Sequence, residues 1–165
     1  MGSRCNGRLG IRVKTLIVYA SHSGNTMHLA EGIANVLTRF GASEAVSIDG
    51  APSVIPSDVD LLVVGSPTEG HGLPADARAY LEGLEATSVA GRAAAAFDTR
   101  LKWPKLLSGS AAEGIAGRLA AKGARMVGPS GSFIVTMVPE LETGELERAE
   151  AWAAALGEAV QAKPA

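Results

Sequence analysis

Cysteine is almost absent from this chain. Cys5 is the single example in 165 residues, so neither an intrachain disulfide framework nor a thiolate-rich metal site can form. The three histidines bring no paired His or Cys spacing, which leaves no expected metal centre. Long hydrophobic runs are missing too, since none approaches the roughly 18 residues a membrane span needs. Nor does one sign of charge prevail. Fifteen basic residues face 17 acidic ones, a formal net of −2, which argues against a nucleic-acid partner and against a strongly acidic surface. Aromatic residues make up 4%, so few side chains can stack on a planar ligand. Cytoplasmic residence is the expectation.

What is present fits one domain, because the length and an apolar share of 47% suffice for a real core. Residues 1–12 are basic, contain glycine and have no apolar segment that could act as a secretory signal. They read as a mobile leader ahead of a domain spanning residues 13–162.

The stretch Thr15 to Thr26 organises that domain: Thr-Leu-Ile-Val-Tyr-Ala-Ser-His-Ser-Gly-Asn-Thr. Its first half is apolar and β-branched, as in a strand buried on both faces. After Gly24 the spacing of Ala30, Ile33, Leu37 and Phe40 becomes helical. A strand–tight loop–helix junction aims free amides and the positive end of the helix at one point, which suits an anion. The loop has no Lys or Arg. Ser21, Ser23, Asn25, Thr26 and the backbone would have to hold that anion, although the same residue types also serve as plain helix caps.

Further strands are expected at Ala45 to Ile48, Asp60 to Ser66 and Arg92 to Phe97. A fifth, Arg125 to Val127 and Phe133 to Val138, is interrupted by Gly128 to Gly131. Helical stripes fall at Ala77, Tyr80, Leu81 and Leu84, then between Ser108 and Lys122, and last between Gly144 and Val160. Strands alternating with helices predict an α/β fold, a doubly wound five-stranded parallel sheet with right-handed crossovers.

The order Ser-His-Ser-Gly-Asn-Thr resembles the phosphate loop of flavodoxins, a Ser/Thr-x-Ser/Thr-Gly-Asn-Thr pattern after the first strand, and the resemblance extends over nearly all the chain beyond Val13. It implies strand order 2-1-3-4-5 with FMN at the switch point between strands 1 and 3, the case for which flavodoxin is a standing example. The cofactor-binding set it implies is Ser21, His22, Ser23, Gly24, Asn25 and Thr26 in the first loop. Ser66, Pro67, Thr68, Glu69, Gly70, His71 and Gly72 make the second, and Phe97, Asp98, Thr99, Arg100 and Trp103 the third.

In that family a second-loop glycine turns its peptide on reduction and favours the one-electron state of the flavin. Gly70 and Gly72 can both adopt positive φ and are the candidates. The backbone of Asp98 to Arg100 would meet the pyrimidine edge of the ring. Trp103 is the only loop aromatic able to replace the tyrosine that flavodoxins often stack there. Its alternative role is to anchor the loop beside Pro104. His22 and His28 are expected to face solvent, and His71 either to be solvated or to cover the ring. Arg100 either pairs with Asp98 or Glu69 or approaches flavin N1, where a cation raises the potential.

Three functions compete. The first is an FMN-dependent electron carrier serving a redox protein, monomeric or weakly dimeric. The second is an NAD(P)H-dependent FMN quinone-type reductase, with an open pocket beside the flavin. The third is a flavin-free binding module that kept the fold.

Overall fold

The computed structural model describes residues 11–162. Residues 1–10, with Cys5 and most of the expected leader, and residues 163–165 lie outside the described residues. The elements run β1 (Thr15–Tyr19), α1 (Asn25–Leu37), β2 (Ser43–Ser47), β3 (Leu61–Pro67), α2 (Ala75–Gly83), α3 (Ala86–Val89) and β4 (Ala93–Leu101). They continue with α4 (Lys105–Ser108), α5 (Ala111–Ala121), β5 (Arg125–Met126), β6 (Gly131–Val135) and α6 (Glu145–Ala162).

Every strand pairing within the sheet is parallel, in the order β2-β1-β3-β4-β5. The interrupted fifth strand is visible as two pieces on one edge. Ala93 and Ala94 pair with β5, and Phe97 to Leu101 pair with β6. Between the pieces, Gly128 takes φ 64.

Period-two alternation covers both faces of the sheet. Ile17, Val63, Ala95 and Phe97 pack with Ile33, Leu37, Ala153 and Leu156 on the side of α1 and α6. Leu16, Val18, Leu62, Val64 and Ala96 pack with Leu81, Ile115 and Leu119 on the side of α2 and α5. Truncating a fully buried residue such as Leu62 or Leu119 to alanine would cost about 2–5 kcal/mol. At Gly65 a Cβ would overlap the ring of Phe97, so glycine in β3 is what admits that ring beneath the sheet. Phe97 meets Phe133 and Trp152 edge-on, with centroids 6.4 and 6.0 Å away.

The expected helix between Ser108 and Lys122 is α5, and the short α4 precedes it in the segment expected as a loop. Gly109, at φ 71 and ψ −174, breaks the chain between α4 and α5. Among the described residues, no helix is long and apolar enough to cross a membrane.

Candidate functional site

The loop between β1 and α1 leaves amide groups unused. Gly24 caps α1 at φ 89 without a side-chain hydrogen bond. Ser21 Oγ accepts from the amides of Gly24 (3.1 Å) and Met27 (3.3 Å), curling the loop over the helix end. The first helical bond is from the amide of His28 to the carbonyl of Gly24, at 3.0 Å. The amides of Ser23, Asn25 and Thr26 donate to no described residue. With no acidic residue in the first turn of α1, nothing there repels an anion. Thr26 is buried, its hydroxyl 3.1 Å from that of Thr99 at the carboxyl end of β4. Asn25 Nδ2 donates to the carbonyl of Pro139 (2.9 Å), tying in the segment between β6 and α6.

The second loop closes as a two-residue hairpin. The amide of Glu69 donates to the carbonyl of Gly72 (2.9 Å), and the amide of Gly72 to the carbonyl of Glu69 (3.0 Å). Gly70 and His71 are the central pair, both left-handed at φ 53 and 70, as a type I′ turn requires. This corrects the expectation for Gly72, which keeps ordinary backbone while His71 takes the left-handed position. His71 Nδ1 donates to the carbonyl of Leu107 (2.6 Å), which fixes its tautomer and holds the hairpin against α4.

His22 is exposed, as expected, but its ring is not free. Its Nδ1 lies 2.5 Å from Glu69 Oε1 in the hairpin, and its Nε2 lies 2.7 Å from Asp76 Oδ2 in the first turn of α2. Hydrogen bonding to Asp76 and then to Glu69 raises the His22 pKa above its ordinary value. Burial works against ionisation of Asp76, but its bonds to His22 and to the Ala77 amide hold its carboxyl below the usual range.

The third loop begins later than expected. Asp98 to Arg100 belong to β4, where Asp98 and Thr99 pair with Ser66 and Pro67 on one side and with Ser132 and Phe133 on the other. The amide of Thr68 donates to the carbonyl of Thr99 (2.7 Å). The backbone of Asp98 and Thr99 is therefore paired on both sides, whereas Arg100 pairs with β6 alone.

The fully buried Asp98 carboxylate instead collects donors. They are Ser132 Oγ (2.6 Å) on one oxygen, and Ser110 Oγ (2.7 Å), the Ala112 amide (3.0 Å) and Thr68 Oγ1 (3.2 Å) on the other. Arg100 pairs with neither Asp98 nor Glu69, another correction. Its guanidinium donates to Ser132 Oγ (2.7 Å) and the carbonyl of Trp103 (2.9 Å), reaching Asp98 only through Ser132. Phe97 and Ser66 have no exposed surface. Phe97 belongs to the core, and Ser66 Oγ donates to the carbonyl of Pro67.

A cavity of about 240 Å³ opens between the hairpin and the end of β4, lined in part by Thr68, Gly70, His71, Arg100, Trp103 and Leu107. Trp103 is 51% exposed at its edge. Tyr19, Phe40 and Tyr80 pack against the core clusters, and Phe97, Phe133 and Trp152 pack on one another. Trp103 alone among the described aromatics is therefore available to a planar ligand. Leu106, Leu107, Met137 and Val138 stand exposed on the flanking segments.

Several residues that build this region went unnoticed in the sequence. Ser110 had a readable signal: with Glu113 three residues on it forms the start of a capping box, and its Oγ accepts from the Glu113 amide. Asp76, Ser132, Gly109 and the carbonyl of Pro139 had none, because they enter through tertiary contacts.

A family model described as Flavodoxin matches residues 17–152. Among solved structures, a flavodoxin from the domain Archaea superposes with a TM-score of 0.76 at 20% identity, covering 90% of this chain and 99% of that one. Oxidised Flavodoxin 2 from Bacillus cereus gives 0.72 at 30% identity, with 88% and 99% covered. The rubredoxin oxygen:oxidoreductase of Desulfovibrio gigas gives 0.72 at 19%, with 92% of this chain but 37% of that one. No curated protein matches by sequence.

Proposed function

The chain belongs to the flavodoxin family, and from that premise we propose that it is an FMN-dependent electron-transfer protein. The observation that carries the reading is the loop Ser21 to Thr26. It has three unused amides, serine and threonine hydroxyls and a helix start, with no lysine or arginine and no acid in the first helical turn. Such a cradle fits a phosphate monoester held by hydrogen bonds and the helix dipole. The cavity beside Trp103 fits a planar ring system covered by indole on one side. FMN, when bound, supplies the one-electron chemistry.

The residues do the rest. Ser21 shapes the phosphate cradle, and the hairpin Glu69 to Gly72 and Trp103 border the ring. Arg100 keeps a cation at the cavity wall. The exposed Leu106, Leu107, Met137 and Val138 suit transient docking of a redox protein, since apolar surface of this kind marks interaction sites.

The test is to titrate FMN and riboflavin in parallel into flavin-free protein and into Ser23→Ala. FMN should bind more tightly than riboflavin, and the variant should lose part of that preference. Equal affinity for the two flavins would overturn the phosphate assignment, and no flavin binding at all would overturn the function.

A further inference from the structure

His22 belongs to the loop Ser21 to Gly24, yet both its ring nitrogens are used outside that loop. Nδ1 meets Glu69 in the hairpin, and Nε2 meets Asp76 in the first turn of α2. A neutral imidazole carries one N–H, so it can donate to only one of two carboxylates. Only the imidazolium donates to both at once. We propose that protonated His22 is a positioning residue that clamps the anion-binding loop to the hairpin beside the ring cavity, so that phosphate affinity and cavity shape are set together by one proton. The proposal rests on the function stated above for its ligand, while the clamp itself is a property of the protein alone.

The geometry supports it in three ways. The loop has no charged side chain of its own apart from protonated His22, and the first turn of α1 has no acid. His22 is thus the only side chain in the loop that can carry positive charge, and its proton takes the cluster with Glu69 and Asp76 from two net negative charges to one, which lessens the repulsion of a nearby anion. Its partners are fixed from behind. Glu69 is held by the two backbone bonds of the hairpin, and Asp76 Oδ1 accepts from the Ala77 amide (2.8 Å). The other charged group nearby on α2, Arg78, is turned to the carbonyl of Leu73 (3.3 Å) and does not compete for either carboxylate. The groups facing His22 are thus Glu69 from the hairpin and Asp76 from α2.

The sign of the pH dependence follows. His22 has a raised pKa, so the clamp is complete below the ordinary imidazole value and is lost as pH rises through the higher value of the folded protein. The side chain is 38% exposed, and its partners are more so, which limits the effect. Exposed pairs of this kind are worth a factor of about five at most.

The experiment is a titration of FMN into wild type and His22→Gln from about pH 5.5 to about pH 9, a span bracketing the unperturbed imidazole value. The phosphate of FMN also titrates, near pH 6, but it does so equally for both proteins and cancels in the ratio of their dissociation constants. That ratio should be about threefold to fivefold at the acid end and fall to about one at the alkaline end. Glu69→Gln should reproduce the loss, with no further loss in the double variant.

In parallel, NMR of the FMN-free protein should show the His22 ring titrating above the ordinary range, with the amide shifts of Ser21 to Thr26 following it. Glu69→Gln should lower that midpoint. A ratio that is flat with pH overturns the clamp while leaving FMN binding intact. Failure of wild type to bind FMN overturns the functional reading instead. The NMR titration then decides the clamp alone, and an unshifted His22 that ignores Glu69→Gln would dispose of it.

Discussion

Gly109 runs against the carbonyl of His71 so closely that a Cβ at residue 109 would overlap it. The break between α4 and α5 is thus the seat of the hairpin, since Gly109 lies behind His71 while Leu107 accepts from its ring. At φ 71 and ψ −174, Gly109 occupies a backbone region nearly closed to other residues. Gly109→Ala should cost about 1–3 kcal/mol from backbone strain alone, with more from the displaced hairpin. Urea unfolding gives the stability and FMN titration the effect on the site. A variant as stable as wild type would show that the hairpin does not rest there.

Asp98 joins four segments of the site through its carboxylate. Its donors come from the loop after β3, the N-terminus of α5, and β6, while Asp98 itself lies in β4. Asp98→Asn keeps the shape but turns an NH2 group toward one set of donors. The mismatch should cost about 1–3 kcal/mol, the usual penalty for a buried polar group without a partner. Chemical denaturation checks the magnitude. Ser132→Ala should cost a comparable amount, because the three remaining donors all serve the other oxygen and the buried Oδ1 loses the one it has.

The sheet was readable because its signal is local. Apolar β-branched strands punctuated by Gly and Pro announce themselves, and so did the interrupted edge strand around Gly128. The junction from β1 through Ser21 to α1 was readable for the same reason, since its residue types and their order are contiguous. The third loop was misplaced because Asp98-Thr99-Arg100 looks like polar loop chemistry. The partners that keep it in the sheet, Ser66, Pro67 and Ser132 to Ile134, lie more than thirty residues away. Only such distant pairing converts a polar segment into strand. The partners of the exposed His22 were hidden for a related reason: the two carboxylates are 47 and 54 residues distant, and no local pattern reports them. Left-handed backbone at His71 was hidden because glycine flanks it on both sides, and residue type alone favours the glycines.

Acid stability should depend in part on Glu145. Its bonds to the Arg148 guanidinium, and then to the Ile134 amide, hold its carboxyl below the ordinary 4.5 despite burial. A depressed carboxylate contributes stability that is fully present above the unfolded value and is lost as pH falls through the folded one. Glu145→Gln should therefore be less stable than wild type by about 1 kcal/mol near neutrality. The gap should narrow as pH falls past the ordinary carboxylate value and close only once it has passed the lower value of the folded protein. Denaturation midpoints of both proteins across that range check it, and a gap that persists in acid would assign the loss to packing.

Trp103 should report the ring directly. Trp103→Ala is expected to weaken FMN binding by about 0.5–1.5 kcal/mol, the value of aromatic contact beyond area. In a Trp152→Phe background, FMN should quench the remaining indole fluorescence. Trp152 sits against Phe97 and Phe133 and donates to the carbonyl of Pro129, so that background is itself expected to be less stable. Unchanged affinity together with unquenched emission would make Trp103 a packing residue of its loop.

The proposed function makes the hairpin the place to test for a one-electron carrier against a two-electron reductase. Reduction in single steps requires a backbone carbonyl that can turn toward the protonated ring nitrogen. Gly72 has both its N–H and C=O committed to Glu69, so its own groups are held in the bridge. The peptide joining Gly70 to His71 sits at the tip, outside that pair of bonds. A Cβ at either glycine would meet nothing within 4 Å, so neither alanine variant fails for lack of room. Only Gly70 lies in left-handed backbone, at φ 53, where alanine is strained. Stepwise photoreduction of the wild type should pass through a long-wavelength absorbance band. Gly70→Ala should suppress that band, and Gly72→Ala should leave it largely in place. Arg100 at the cavity wall works the other way, because a nearby cation favours the fully reduced ring. Arg100→Ala should accordingly lower the potential of the second electron, by about 20–60 mV if the cation contributes on the order of 1 kcal/mol. Direct bleaching by NADPH without the band, with turnover of a quinone, would reverse the assignment to a reductase.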